Sequence, residues 1–383
     1  MPKALITASV SSMIDQFCRQ NIDVLEKLGY KVYVATNFSS GSPTSNEQIL
    51  KFKDFLLSKN IVFYDIPFYR KIYSFDNVKS FIYLQKLIKK EKFDLIHTQS
   101  PVGGIITRLA AISTRQKGTK VIYTAHGFHF FKGSSILNWL LYFPAEWLCS
   151  FITDILVTIN NEDYSLAILK LKSKKVINFP FGVGVDSKNF NIEVDRDNYL
   201  TDLNIPKDSL IIISIGELSV RKNHEVVIRA LAHINNKKIY YIICGIGALE
   251  NNLKALCKEL NVSNNVIFSG FRSDRINILK ISDIFVFPSL QEGLPVALME
   301  AMSVGLPVVC SNVRGNVDLI ENGNGGYIVD KHDNIGFANS INEILNNKEL
   351  ALSMSNYNLN RIKQYDKNVI ENHLFDLYKN VES

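Results

Sequence analysis

Short β-branched, apolar runs alternate with stretches of helical spacing along the whole chain. In the first half the runs read KALITAS, YKVYVAT, IVFYDIPF, DLIHTQS, KVIYTAH, DILVTIN and KVINFP. In the second they are LIIISIGEL, KIYYIICG, NVIFSGF, IFVFPS, PVVCS and GGYIV. Apolar strands with helices between them predict parallel sheets built from right-handed βαβ units. The pattern breaks around FGVGVDSKNFNIEVDRDNYLTDLNIPKD, where polar turn residues take over. The expected fold class is α/β, with two doubly wound, Rossmann-like domains at 1–190 and 205–365. A last helix at 366–383 is expected to pack back across them. Two such domains would face each other across a central cleft, with ligands at the carboxyl ends of the strands.

The remaining bulk properties narrow this only a little. A chain of 383 residues is too long for one ordinary core and suits two domains. With 46% hydrophobic and 21% charged residues it should be globular. No run of eighteen uncharged apolar residues occurs, so no transmembrane helix is expected. The start, MPKALITASV, lacks the layout of a signal peptide and reads as a first buried strand. The five cysteines are scattered without a CxxC pair, which suits reduced core residues in a cytosolic protein. A net charge of +6 allows an anionic partner without identifying one, and no nucleic-acid partner is expected.

One stretch carries unusual chemistry. FPSLQEGLPVALMEAMSVGLPVVCS, residues 287–311, places Glu292 and Glu300 in an otherwise apolar setting. IFVFPS reads as a strand, LQEGLP as the loop after it and PVALMEAMSVG as a helix, with Pro295 in its first turn and Gly305 at its end. A helix start is a ready anion site, and Gly293 lets the backbone approach a ligand. A carboxylate accepts from two neighbouring hydroxyls at once, so the two acids suit a ribose diol and a sugar diol. The plainer alternative is a helix acid in a salt bridge and a solvated loop acid.

The segment EGLPVALMEA resembles the E-x7-E segment of retaining GT-B glycosyltransferases of the family 4 type. The resemblance spans nearly the whole chain. GELSVRKNH is similar to that family's G-x-L…K segment, CGIGALENNL to its G-x-G turn, and GFRSD, SDIFVFPS and GLPVVCSNVRG follow in its order. In the first half, DLIHTQSPVGGIITRLAA, VIYTAHGFHFFKG, NNEDY and FPFGVGVD resemble members that build bacterial exopolysaccharide and capsule repeat units. The resemblance implies that Glu300 binds the donor ribose and Glu292 the donor sugar. The amides at Gly293 and Leu294 would hold sugar and pyrophosphate. Lys222, six residues after Gly216, would neutralise the leaving diphosphate. Arg272, in GFRSD, joins the nucleotide-binding set. His126, in TAHGF, matches the histidine that faces the donor sugar; alone, a histidine at a strand end is more often structural. Glu217 stands where the family often has arginine, and Arg221 is the candidate replacement or else a solvated turn residue.

Other motifs add less. Ser9, Ser11 and Ser12 occupy a first loop where many relatives have glycines, and equally suit N-capping. CGIGALE lacks the third glycine of a dinucleotide loop, having Glu250 there. No HExxH, CxxC or convincing DxD loop occurs, and DRD at 195–197 sits in the linker, so neither a metal nor another cofactor is expected.

Residues 68–93 interleave Arg70, Lys71, Lys79, Lys86, Lys89, Lys90 and Lys92 with aromatics, against Asp76 and Glu91. Such a stretch suits an anionic membrane surface or an ordinary basic helix. Residues 128–148 are a second aromatic-rich candidate or a core helix. The expected protein is a cytoplasmic, peripheral membrane glycosyltransferase. It would move a hexose or N-acetylhexosamine from a nucleotide diphosphate sugar, UDP-linked by expectation, to a lipid-diphosphate-linked saccharide. The alternatives are a nucleotide-sugar epimerase on the same fold and a non-catalytic GT-B-like binding subunit.

Overall fold

The structure, a computed structural model, describes residues 1–39, 44–69, 74–180, 182, 184–186, 190 and 192–381. Arg70 and Lys71 of the basic stretch lie outside them. All thirteen predicted runs form strands. In chain order these are β1 (Lys3–Thr7), β2 (Lys31–Thr36), β3 (Val62–Asp65), β4 (Leu95–Gln99), β5 (Lys120–Ala125), β6 (Ile155–Thr158), β7 (Lys175–Asn178), β8 (Leu210–Ile215), β9 (Ile239–Cys244), β10 (Val266–Gly270), β11 (Ile284–Phe287), β12 (Val308–Ser311) and β13 (Gly326–Val329). They make two parallel sheets, ordered β3-β2-β1-β4-β5-β6-β7 and β10-β9-β8-β11-β12-β13. Strand order reverses between β1 and β4 in the first sheet and between β8 and β11 in the second. Those switch points are where an open α/β sheet leaves a crevice at its carboxyl edge.

The chain divides into a first unit, Met1–Val183 with Asn368–Ser383, and a second, Gly184–Lys367. The change falls a few residues before the polar segment of 187–205 because Val185 is tied to the far end of the second unit. Its amide donates to Tyr365 O and its carbonyl accepts from Lys367 N. The helix Lys367–Lys379 buries Ile370, Leu374, Leu377 and Tyr378 in the core of the first unit, beside Ile14, Ile22 and Leu25. Tyr378 OH accepts from Asn21 Nδ2 at 2.8 Å and lies 2.7 Å from His97 Nδ1. In the second unit Ile212, Ile243, Val286 and Val309 pack on the helices His224–Ile234 and Asn334–Asn346.

The five cysteines are buried and free. No helix among the described residues is long and apolar enough to cross a membrane. Asp195 caps the helix Arg196–Asp202, and Arg196 reaches Asp283, so the DRD segment is spent on local structure.

Candidate active site

In the second unit, the loops that leave β8 and β11 meet on either side of the strand-order reversal. The chain leaves β8 through Gly216 and turns at Val220–Lys222. Asn223 then adopts a left-handed conformation, with φ of 52°, and its side chain donates to Pro288 O and Lys331 O. Leu290 N donates to Arg221 O at 2.8 Å. These bonds hold the Lys222 turn against the Glu292 loop. Lys222 Nζ lies 2.6 Å from Glu292 Oε1, and Arg221 Nη1 lies 3.1 Å from the same oxygen. Lys222 also stands 4.5 Å from the centre of the Phe287 ring. Burial pushes the Lys222 pKa down, opposed by the Glu292 carboxylate. Beneath it, burial draws His224 down to about 4, so its imidazole is neutral at pH 7.

Glycines let the loop after β9 touch the one after β8. A Cβ at Gly245 would come within 1.9 Å of Gly216 O, and one at Gly247 within 2.4 Å of Leu218 O. The G-x-G of CGIGALE therefore packs one loop against another, a role that needs no dinucleotide.

The helix predicted after Glu292 runs Val296–Ser303. Pro295 is its N-cap, just outside the first turn where the sequence placed it. Gly305, at φ of 79°, ends it in a left-handed turn, with Gly305 N on Met302 O and Leu306 N on Ala301 O. Gly293 and the buried Leu294 lie just before the helix start. Arg314, itself buried, donates from Nε to Glu292 O at 3.1 Å and fixes that loop from the β12 side. Glu300, on the same helix, is buried and takes a two-pronged bond from Arg275: Nε to Oε2 at 2.8 Å and Nη2 to Oε1 at 2.7 Å. The helix-acid-in-a-salt-bridge alternative thus describes Glu300 as it stands here, and its partner Arg275 is 44% exposed in its side chain.

Arg272 belongs to a different group. Its Nη2 lies 2.6 Å from Asp274 Oδ2 and 2.9 Å from Tyr199 OH. The arginine that reaches a site carboxylate is Arg275, three residues on. Glu217 is exposed, and its charge acts on Lys222.

In the first unit, His126 follows β5. Its Nε2–H donates to Gln99 Oε1 at the end of β4, and its ring lies 5.3 Å from that of Phe17. Burial brings its pKa down to about 4. His97 bridges Thr124 Oγ1 at 2.8 Å and Tyr378 OH at 2.7 Å, and burial brings it to about 3. Together they line a cavity of about 30 Å³. Ser9 does not cap a helix. Its Oγ accepts from Gly103 N at 2.9 Å and pairs with Ser100 Oγ, tying the first loop to the helix Pro101–Arg115. Arg275, Arg314 and Gln99 escaped the sequence reading because no local pattern pairs them with the acids or the histidine they serve.

Comparison with known proteins agrees with this architecture. Residues 8–159 match the family model for glycosyl transferase 4-like domains, and residues 195–361 the model for glycosyl transferases group 1. The chain is 31% identical over 353 residues to EpsD of Bacillus subtilis, covering 91% of this chain and 89% of that one. It is 32% identical over 311 residues, 78% of this chain and 80% of the other, to the Escherichia coli UDP-Gal:alpha-D-GlcNAc-diphosphoundecaprenol alpha-1,3-galactosyltransferase. Among solved structures, HepE of Anabaena in complex with UDP and glucose superposes with a TM-score of 0.80 at 18% identity, over 99% of this chain and 100% of that one. The chain belongs to the group 1, family 4-like glycosyltransferases of the GT-B fold.

Proposed function

We propose that this protein is a retaining glycosyltransferase that moves a hexose or N-acetylhexosamine from UDP to a saccharide carried on a lipid diphosphate, in surface-polysaccharide synthesis. The observation that carries the reading is the convergence of Lys222 and Arg221 on one oxygen of Glu292, directly before the helix Val296–Ser303. A diphosphate would compete for both cations and take the amides of the helix start. Released from them, Glu292 accepts from donor-sugar hydroxyls. Glu300, buried five residues into the helix, accepts from the ribose diol. As the glycosidic bond breaks, charge grows on the leaving diphosphate and Lys222 stabilises it. The acceptor hydroxyl then attacks from the face the leaving group vacates, with the diphosphate taking its proton. Glu292 positions and screens in this account and forms no bond to the sugar. The cations and amides meet the diphosphate charge, so the reaction proceeds without a metal.

The E. coli relative is named for an acceptor on diphosphoundecaprenol, which supports a lipid-linked acceptor here. The exposed face of the helix Asp76–Glu91 supports work at the cytoplasmic surface of an anionic membrane. Val78, Ile82 and Tyr83 alternate there with Lys79, Lys86, Lys89 and Lys90.

Ligand-observed NMR of the purified protein with UDP, GDP, ADP, dTDP and UDP-hexoses, without metal, tests the donor assignment. The reading expects selective saturation of UDP and of the sugar protons. Binding of no nucleotide, with or without magnesium, overturns it.

A further inference from the structure

His126 is half-buried, and its neighbours decide what its ring offers a ligand. Its Nε2 meets Gln99 Oε1, and its Nδ1 has no hydrogen-bond partner among the described residues. An amide oxygen only accepts, so the ring carries its proton on Nε2 and leaves Nδ1 bare. The amide is itself oriented. The nitrogen end of Gln99 reaches toward Cys18 as a donor to the sulfur. Cys18 stands between the helices Ser11–Phe17 and Arg19–Lys27 and gives its S–H to Met13 O at 3.8 Å. The sulfur is therefore left only as an acceptor. Turning the amide over would set its oxygen against that sulfur and its NH2 against Nε2, which would move the ring proton to Nδ1.

No charged side chain lines the cavity beside His126 among the described residues. The titratable groups around it are Cys18 from the first helices, His97 from β4 and Tyr378 from the last helix, and burial keeps each of them uncharged at pH 7. His97 is fixed by a separate set of bonds. Tyr378 OH accepts from Asn21, so its own hydrogen goes to His97 Nδ1, and His97 Nε2–H goes to Thr124 Oγ1. With no carboxylate in the surroundings, residue 99 alone sets the state of His126. An amide holds the N–H without adding charge. A carboxylate of the same shape would favour a proton on both nitrogens and turn an acceptor into a cation.

We propose that Gln99 is a positioning residue that fixes His126 as its Nε2–H tautomer, so that the bare Nδ1 accepts a hydrogen bond from a saccharide hydroxyl; the inference rests on the glycosyltransferase reading above. A bare nitrogen orients a hydroxyl and turns away a phosphate oxygen, because two acceptors would then face each other. Cys18 serves the same end one step further out, by holding the amide the right way round.

Nitrogen-15 spectra of the full chain labelled at histidine test this, because a protonated ring nitrogen and a bare one resonate far apart. In the wild type, His126 should stay protonated at Nε2 and bare at Nδ1 between about pH 5 and 8. A proton on Nδ1, or on both nitrogens at pH 7, overturns the inference with no variant needed. Gln99→Leu should mix the two tautomers and lower the turnover of a UDP-sugar, read as UDP release, about tenfold, the worth of one hydrogen bond. Gln99→Glu should protonate both nitrogens at pH 7. The tautomer of His97 and the affinity for UDP should hold in both variants. Turnover lost with the His126 tautomer unchanged overturns the inference in favour of a purely structural glutamine. Saccharide probes should shift Nδ1, while UDP and inorganic diphosphate should not. A shift from a UDP-hexose marks the donor sugar, and one from methyl N-acetylglucosaminide marks the acceptor; no shift from either overturns the hydroxyl contact. Failure of the donor assignment abolishes UDP binding and leaves the tautomer readable, whereas failure of this inference changes the tautomer and leaves UDP binding intact.

Discussion

At the carboxyl edge of the first sheet, His126 and His97 are held neutral, hydrogen-bonded to Gln99, Thr124 and Tyr378 around a cavity large enough for about one water. At the same edge of the second sheet stand Lys222, Arg221 and Glu292 in one cluster, and Glu300 with Arg275 in another. The two sheets share parallel pairing and a central reversal of strand order. The loops alone separate an uncharged, amide-and-imidazole surface from a cationic one. Among the described residues, the second cluster carries the cations that a diphosphate would need, and the first carries uncharged hydrogen-bonding groups. Parallel architecture thus supplies the position of a site, and loop chemistry decides what it binds.

The largest expected effect is at the cationic cluster. On the proposed function, Lys222→Ala removes the group that meets the developing diphosphate charge. Turnover of a UDP-sugar, read as UDP release, should fall about 100- to 1,000-fold. It also leaves Glu292 buried with only the more exposed Arg221, so the thermal midpoint should drop in calorimetry. Next comes Glu300→Gln, which trades a charged acceptor for a neutral one. The UDP dissociation constant should rise about 10- to 100-fold, because hydrogen bonds to charged groups contribute about 1.5–3 kcal/mol.

The neutral histidines give a pH signature. Their folded values, about 3 for His97 and about 4 for His126 and His224, lie below the ordinary value near 6.5. Between about 6.5 and 4 the unfolded chain binds protons that the folded chain does not. Folding stability should therefore fall as pH drops through that window. Denaturant midpoints at pH 7 and 5 measure it, and replacing His97 with Asn should shallow the slope. The smallest effect per residue is at the surface: reversing Lys86, Lys89 and Lys90 to Glu should weaken flotation with anionic vesicles by about 1 kcal/mol per lost cation. Unchanged flotation would remove that helix from the membrane side.

Much of this was legible in the chain. Every strand announced itself: the central ones, buried on both faces, need unbroken apolar, β-branched runs, and the half-buried edge strands β3 and β7 keep enough of that pattern. The placement of Glu292 and Lys222 at the carboxyl edge of their sheet was legible for a related reason, since they follow IFVFPS and LIIISIGEL; the roles given to them came from the family resemblance. What sequence could not show was pairing. Arg275 lies 25 residues from Glu300, and Gln99 lies 27 from His126. Only tertiary folding brings them together. Arg272 was the more conspicuous arginine of its loop, yet Asp274, two residues away, captures it. Ser9, in the first loop, suited a cap as well as a ligand-facing hydroxyl, and instead forms a clasp between β1 and the helix after β4.

The division of labour between the two acids is the claim on which the rest depends. UDP dissociation constants and UDP-sugar turnover, measured side by side for the wild type, Glu292→Gln and Glu300→Gln, test it most directly. The account predicts that Glu300→Gln weakens UDP binding, while Glu292→Gln keeps UDP affinity and loses turnover. Equal loss of UDP affinity in both variants would contradict it.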